Sequence, residues 1–495
     1  MPIMDEPTSL DPQIADSNSE KLVAANCYEG LVRIMADGTI GKGVATDWNI
    51  SDDGLTYTFK LRNNSHWAMF SGHKAVLGEN YEDTFDITVK AEDFKFGIER
   101  TISEQTGSAD APLFSAVKSI STPDDFTIVF NLSYADDNFL YALTNPGAMP
   151  CDEEFFNLTN GKYGLDAKYL LCNGPFHVSK WTEKTSVKLA KNNEYNGESS
   201  VSPSSVTFYI NNDDSEVADK MNSVTYDVAF LSSSQFSSIE NKKDLNSVAV
   251  QNVTYSFIFN QNDNNYRNKN MRLAFCRSCD TSSLFDSQSD ISKADGIVPP
   301  SCKIGGEDYR NGNAAELLSY DETLAKKNFN DALLELGSSS VETTILCTEQ
   351  YESFVKQMVQ KLQKTLGVKF VSTVKVVSES DLEAAVNDGN YSVAFYPFKA
   401  KSSFAGEIIE GFDQNNIFGY ESDVLSQKIR NIKNNSGSLE GERSAVADAE
   451  NYLVSEAVIM PVFYENSYFV TSKKTSGIYF YSSADNVCFI NAKKS

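Results

Sequence analysis

Long apolar runs are missing from this chain of 495 residues. No stretch approaches the ~20 consecutive apolar residues that a helix needs to cross a bilayer. Positive charge is also short: 43 Lys and Arg stand against 68 Asp and Glu, a net charge of −25, and no Lys/Arg run forms a patch for a polyanion. Nucleic acid is therefore excluded as a partner, and the acidic excess reads as a solubilising surface. Histidine is nearly absent, with His66, His73 and His177 alone. None lies in an H-E-x-x-H or similar ligand pattern, which leaves little material for a zinc or general-base site. The eight cysteines, Cys27, Cys151, Cys172, Cys276, Cys279, Cys302, Cys347 and Cys488, are too sparse for a disulfide framework in so long a chain. "CRSC" at 276–279 has C-x-x-C spacing, but it lies in a helical pattern with no second C-x-x-C, and reads as structural or unpaired thiols.

Motifs for common chemistry fail in the same way. "GTIGKG" at 38–43 has Ala36 where a phosphate loop needs Gly, and Gly43 where it needs Ser or Thr. No G-x-S-x-G elbow exists. Paired carboxylates for glycoside hydrolysis have ample raw material, yet no short constellation nominates a pair. No metal, cofactor or catalytic residue is expected. The start, "MPIMDEPTSLDPQ", has neither a basic end nor an apolar core of the signal-peptide kind.

What is present is the composition of a folded protein, 41% hydrophobic, 12% aromatic and 22% charged, with length for about three domain-sized pieces. The first 47 residues hold a loop and then a helical stripe, Val23, Cys27, Leu31 and Ile34. "SDDG" turns into "LTYTFKLR", where Tyr57, Phe59 and Leu61 alternate with polar residues. "TPDDFTIVFNLS" repeats the device with Phe126, Ile128, Phe130 and Leu132. Between them "TVKAEDFKFGIERTI" carries a helical stripe of Phe94, Ile98 and Ile102, so residues 48–176 read as an α+β lobe. The 68–86 stretch with Gly72, His73 and Gly78 reads as an exposed loop. "CNGPFHVSKW" is a turn leading into a half-exposed strand. Later, "YESFVKQMVQKLQKTLG" is a helix stopped at Gly367, followed by a strand, a short helix and the strand "YSVAFYPF", a βαβ order. "NIKNNSGSLEG" at 431–441 reads as a surface loop.

In their order along the chain, "EPTSLDP", "CYEGLV", "GVATDWNISDDGLTYTFKLRNNSHW", "TVKAEDFKFGIERTI", "NGPFHVSKW", "IFNQND", "NMRLAF", "GIVPP", "LGVKF", "YSVAF" and "MPVFYENSYFV" resemble the family 5 extracellular solute-binding proteins, the peptide-binding components of ABC importers. The resemblance implies an α/β, two-lobe periplasmic-binding-protein-like fold with a hinged cleft and an additional α+β lobe. Lobe I would comprise residues 1–47, 177–257 and 466–495, the additional lobe 48–176, and lobe II 258–465. A monomer that captures a short peptide, or another small solute, in the inter-lobe cleft and passes it to permease subunits would need no catalytic group. The resemblance further implies an extracytoplasmic lipoprotein, touching the membrane only through an N-terminal anchor outside these residues.

The same resemblance nominates ligand contacts. Asp16 and Asn18 follow "LDP", where family members line the cleft, although they can equally just shape the turn. Val253, Thr254 and Tyr255 stand where the family offers a strand edge to a peptide, although Tyr255 can instead be simple lobe core. Phe398 and Lys401 occupy the positions of a Trp and an Asp, the latter of which pairs with a peptide's α-ammonium in the family. A cation cannot perform that pairing, so the usual amine clamp is lost or moved, and Lys401 either grips an anionic group or is a solvated loop residue. Phe463, Tyr464 and Glu465 match aromatic cleft positions, with Glu465 able to supply the missing negative charge.

Overall fold

Alternating apolar residues and short turns build most of the sheet seen in the computed structural model. It describes residues 1–35, 39–80, 84–136, 138–197, 200–281, 285, 290–399, 404–413, 416–435, 438–481 and 486–495. The chain divides into two compact units, residues 1–249 with 468–495, and residues 250–467. It passes from one to the other inside two long strands, Leu245–Phe259 and Ile459–Ser472.

In the first unit, Ala45–Ile50, Thr56–Leu61, Thr127–Leu132 and Val117–Asp124 form an antiparallel sheet in that spatial order. Its inward residues Tyr57, Phe59, Leu61, Ile128, Phe130 and Leu132 are buried, as a two-residue period requires. The helix Ala91–Ile102 covers them with Phe94 and Ile98, both fully buried. Ile102, the third member of the expected stripe, is 38% exposed because it is the last helical residue. A second antiparallel hairpin, Phe176–Thr182 with Ser186–Lys191, continues to Ser205–Ile210.

Two expectations need correction here. The helical stripe from Val23 to Ile34 ends early: the helix is Asn18–Cys27, and Val32–Ile34 is a strand paired with Ile40–Lys42. The Asn173 side chain explains the break, since it accepts from the Glu29 amide at 3.0 Å and donates to the Glu29 carbonyl at 2.8 Å, drawing both groups out of helical pairing. The 68–86 stretch is not a plain exposed loop. Ser71–His73 and Lys74–Leu77 are helical turns, and His73 is fully buried with Nε2 3.1 Å from the Leu170 carbonyl.

The second unit is an α/β layer structure. Val341–Thr348 lies between Phe370–Val377 and Val393–Lys399, parallel to both, and Val393–Lys399 pairs antiparallel with Val253–Phe259. The helices Glu352–Leu366 and Glu379–Asn387 connect along the expected βαβ order. Successive residues of one strand feed different cores: Phe257 and Phe259 join Met358 and Leu362, whereas Ile258 joins Leu382 and Leu453. The 431–441 stretch is helical at both ends, and Ile432 is buried in the helix Asp423–Asn434. The amphipathic pattern of that helix outweighs the loop-like Asn and Ser content.

Candidate functional site

Glu465 lies on the long strand Ile459–Ser472, and its neighbours alternate between faces. Phe463 and Glu465 point one way and Tyr464 the other, as a pleated strand demands. On the first face the Tyr255 ring sits 5.1 Å from Phe463, 5.5 Å from Phe395 and 4.4 Å from Tyr351. The Tyr351 hydroxyl donates to Glu465 Oε1, and Gln350 Nε2 donates to the same oxygen at 3.2 Å and to Tyr351 Oη at 3.0 Å. Burial pushes the Glu465 carboxyl above the usual carboxylate range, and the Tyr351 and Gln350 donors pull it partly back. Burial likewise raises the Tyr255 phenol, helped by the nearby Glu465 charge. The result is an aromatic cluster whose Phe463, Phe395 and Tyr351 rings are buried, with Tyr255 and Glu465 as the half-buried members that offer an apolar ring beside a carboxylate.

On the opposite face Tyr464 is 2% exposed. Its hydroxyl accepts from the Asp295 amide at 3.1 Å and lies 3.3 Å from the Gly296 and Val298 carbonyls, so it ties down the "DGIVPP" loop. The same loop is held by Glu450, which accepts from the Ile297 and Val298 amides at 2.7 and 2.9 Å, from Tyr309, and from Arg310 in a two-pronged pair.

Val253, Thr254 and Tyr255 pair with Lys399, Phe398 and Pro397, so that ladder takes up one edge of the three. Thr254 is fully buried and its hydroxyl has no hydrogen-bond partner; the same holds for Ser256. Phe398 stacks on Phe412 and Phe418 at 5.8 and 5.7 Å within the other core. Lys401 lies outside the described residues. In the first unit Asp16 and Asn18 are exposed at the start of the helix Asn18–Cys27. Between them in sequence Ser17 caps that helix, reciprocally with Glu20. Glu20 accepts from Thr8 N and Oγ1 and from the Ser9, Asp16 and Ser17 amides. Burial alone would raise its pKa, but those donors hold it below the ordinary value. Glu20 thereby shapes the loop that presents Asp16.

The structure thus brings Tyr255, Phe463 and Glu465 together, separates Tyr464 and Phe398 from them, and adds Gln350 and Tyr351. The last two are carried by "TEQYESF", where a polar pair ahead of an amphipathic helix gives no signal of its own. Glu20 had one, the S-x-x-E capping pattern of Ser17 to Glu20. Among the described residues no group of three or more His, Cys, Asp or Glu is arranged to hold a metal ion, and no helix is long and apolar enough to cross a membrane.

Comparison with known proteins agrees in fold and in sequence. The dipeptide-binding protein DppE of Bacillus subtilis (strain 168) is 24% identical over 496 aligned residues, covering 96% of this chain and 88% of the relative. The crystal structure of a dipeptide-binding protein from Pseudoalteromonas sp. SM9913 in complex with Met-Leu superposes with a TM-score of 0.79 at 18% identity, over 100% of this chain and 99% of that one. AgaA from A.tumefacien R10, solved with agropinic acid, superposes with a TM-score of 0.73 at 18% identity, over 99% and 97%. The model for the bacterial extracellular solute-binding proteins, family 5 Middle, matches residues 39–418, and the chain belongs to that family.

Proposed function

We propose that the protein is the solute-binding component of an ABC importer, that it captures short peptides and delivers them to membrane permease subunits, and that it catalyses no reaction. The observation that carries this reading is the match along 96% of the chain to a dipeptide-binding relative. The half-buried Tyr255 and Glu465 support it, because a peptide offers both an apolar side chain and amide donors to such a pair. Ligand contacts proposed in the second unit are Val253, Tyr255, Phe398, Lys401 and Glu465, and in the first unit Asp16 and Asn18, while the fully buried Thr254 and Phe463 act from behind by packing. Tyr464 acts there through the "DGIVPP" loop that it holds. The protein works as a monomer on the outer face of the cytoplasmic membrane, tethered by a lipid on a preceding segment.

Native mass spectrometry of the purified protein tests the reading, since solute-binding proteins that bury their cargo retain it. Mass increments matching short peptides are expected. A second reading is favoured by the likeness to AgaA, solved with agropinic acid: a small non-peptide solute as cargo. Increments spaced by sugars or matching a single small organic acid, with no stabilisation by a mixed peptide library in thermal-shift screening, would select it. Multiple-turnover cleavage of peptides would reject both.

A further inference from the structure

The segment that ends the first helix and the turn before the Phe176–Thr182 strand lie side by side. Gly174 N donates to the Cys27 carbonyl at 2.9 Å, and the Asn173 side chain makes both of its hydrogen bonds to Glu29. Gly174 is required here, because a Cβ would come within 2.6 Å of the Cys27 carbonyl carbon. On the far side the Cys172 carbonyl accepts from Ala68 N at 2.7 Å. These bonds fix the backbone on both sides of two cysteines, Cys27 and Cys172, which are 0% and 1% exposed. Both are free thiols packed in the same hydrophobic core, and Cys172 is near enough to be among the groups that raise the Cys27 pKa.

We propose that Cys27 and Cys172 are joined by a disulfide when the chain folds in an oxidising compartment, stapling the first helix to the hairpin that begins at Phe176. The proposal rests on the extracytoplasmic part of the reading above, where disulfides persist. In the reaction one thiol loses its proton and attacks an external disulfide, oxidised glutathione or a thiol–disulfide oxidoreductase, releasing one reduced thiol. The second cysteine, also deprotonated, then displaces the other half. Two S–H bonds break, one S–S bond forms, and the external disulfide takes up both electrons and both protons. Burial holds the Cys27 thiol far above its ordinary pKa, so the exchange occurs before this core closes. Once formed, the bond is shielded from reductants by the same burial. Cys488 is the competing partner: it is the one cysteine not fully buried, and it borders a cavity of about 340 Å³ that Tyr28, Glu29 and Pro175 also line.

The wild-type chain, refolded from denaturant in a glutathione redox buffer, quenched with acid, alkylated and digested without reduction, provides the test. A peptide pair linked through Cys27 and Cys172, two hydrogens lighter than its reduced form, is the expected product. Its Tm should exceed that of protein refolded in excess reductant by roughly 5–10 °C, given the long loop closed. In Cys27→Ser and Cys172→Ala that difference should vanish. Recovery of both residues as alkylated thiols, or linkage of either to Cys488 or another cysteine, overturns the proposal. The mapping needs only the wild-type chain, and because it is done in vitro it stands or falls separately from the assignment of cargo and location.

Discussion

Tyr351 and Glu465, 114 residues apart in sequence, meet through the phenolic hydroxyl and one carboxylate oxygen. A hydrogen bond to a charged acceptor contributes about 1.5–3 kcal/mol. Tyr351→Phe keeps the ring against Tyr255 and Phe463 while deleting that donor. The expected loss is about 1–2 kcal/mol at neutral pH, since Gln350 still serves the same oxygen. Urea denaturation at pH 7 and again near pH 4 checks it: the difference should shrink as Glu465, already raised by burial, becomes protonated.

Binding is expected to be insensitive to the peptide's amino terminus. The resemblance sets Lys401 where the family's ammonium-pairing Asp would stand, and Glu465 Oε1 is occupied by two donors. Calorimetry with one peptide in free, N-acetylated and C-amidated forms should therefore give free and acetylated affinities within a few-fold. If Lys401 holds a carboxylate, amidation weakens binding and Lys401→Ala erases the difference. A tenfold or larger loss on acetylation, absent in Glu465→Gln, would instead assign the amine to Glu465.

Arg310→Ala should be among the most damaging substitutions in the second unit. Its guanidinium makes two bonds to Glu450, and the side chains are 9% and 1% exposed. Removing one partner strands a buried charge, at a cost of about 3–5 kcal/mol. The double variant Arg310→Met with Glu450→Leu restores the charge balance but leaves the Ile297 and Val298 amides without their acceptor. It should recover part of the loss, as measured by chemical denaturation.

Acid should destabilise the first unit through His73. Burial lowers its pKa to about 4, and among the described residues no group accepts from Nδ1. An unfolded histidine titrates near 6.5, so the folded state resists a proton that the unfolded state takes. The contribution is complete above pH 6.5 and is lost as pH falls towards 4, in total roughly 3 kcal/mol. His177, shifted in the same direction by burial, adds to the same window. His73→Phe should flatten the stability profile between pH 6.5 and 4, measured by denaturation at a series of pH values.

The elements read most clearly from sequence were those whose apolar period matched their eventual burial. Tyr57, Phe59 and Leu61, and Met358 and Leu362, ended where a two- or four-residue spacing sends them. The misread helix past Cys27 shows the limit. Leu31 and Ile34 keep a helical spacing, but the side chain that ends the helix belongs to Asn173, and no local pattern reports a partner 144 residues away. At the candidate site the family resemblance supplied Tyr255, Phe463 and Glu465. Strand alternation, available from the sequence, already implied that Tyr464 faces away from its two neighbours. Gln350 and Tyr351 come from another part of the sheet and become visible only when the strands are assembled.

The first unit is completed by residues from both sides of the second: Asn26 donates to the Val487 carbonyl at 2.8 Å and accepts from Phe489 N at 3.2 Å, and both partners are buried in the core of the first unit. A nascent chain can therefore close residues 250–467 while the earlier-made unit still waits for its last strand. The order of completion is the reverse of the order of synthesis. Stalled or truncated products lacking residues 487–490 should therefore be cut first within residues 1–249, while residues 250–467 resist.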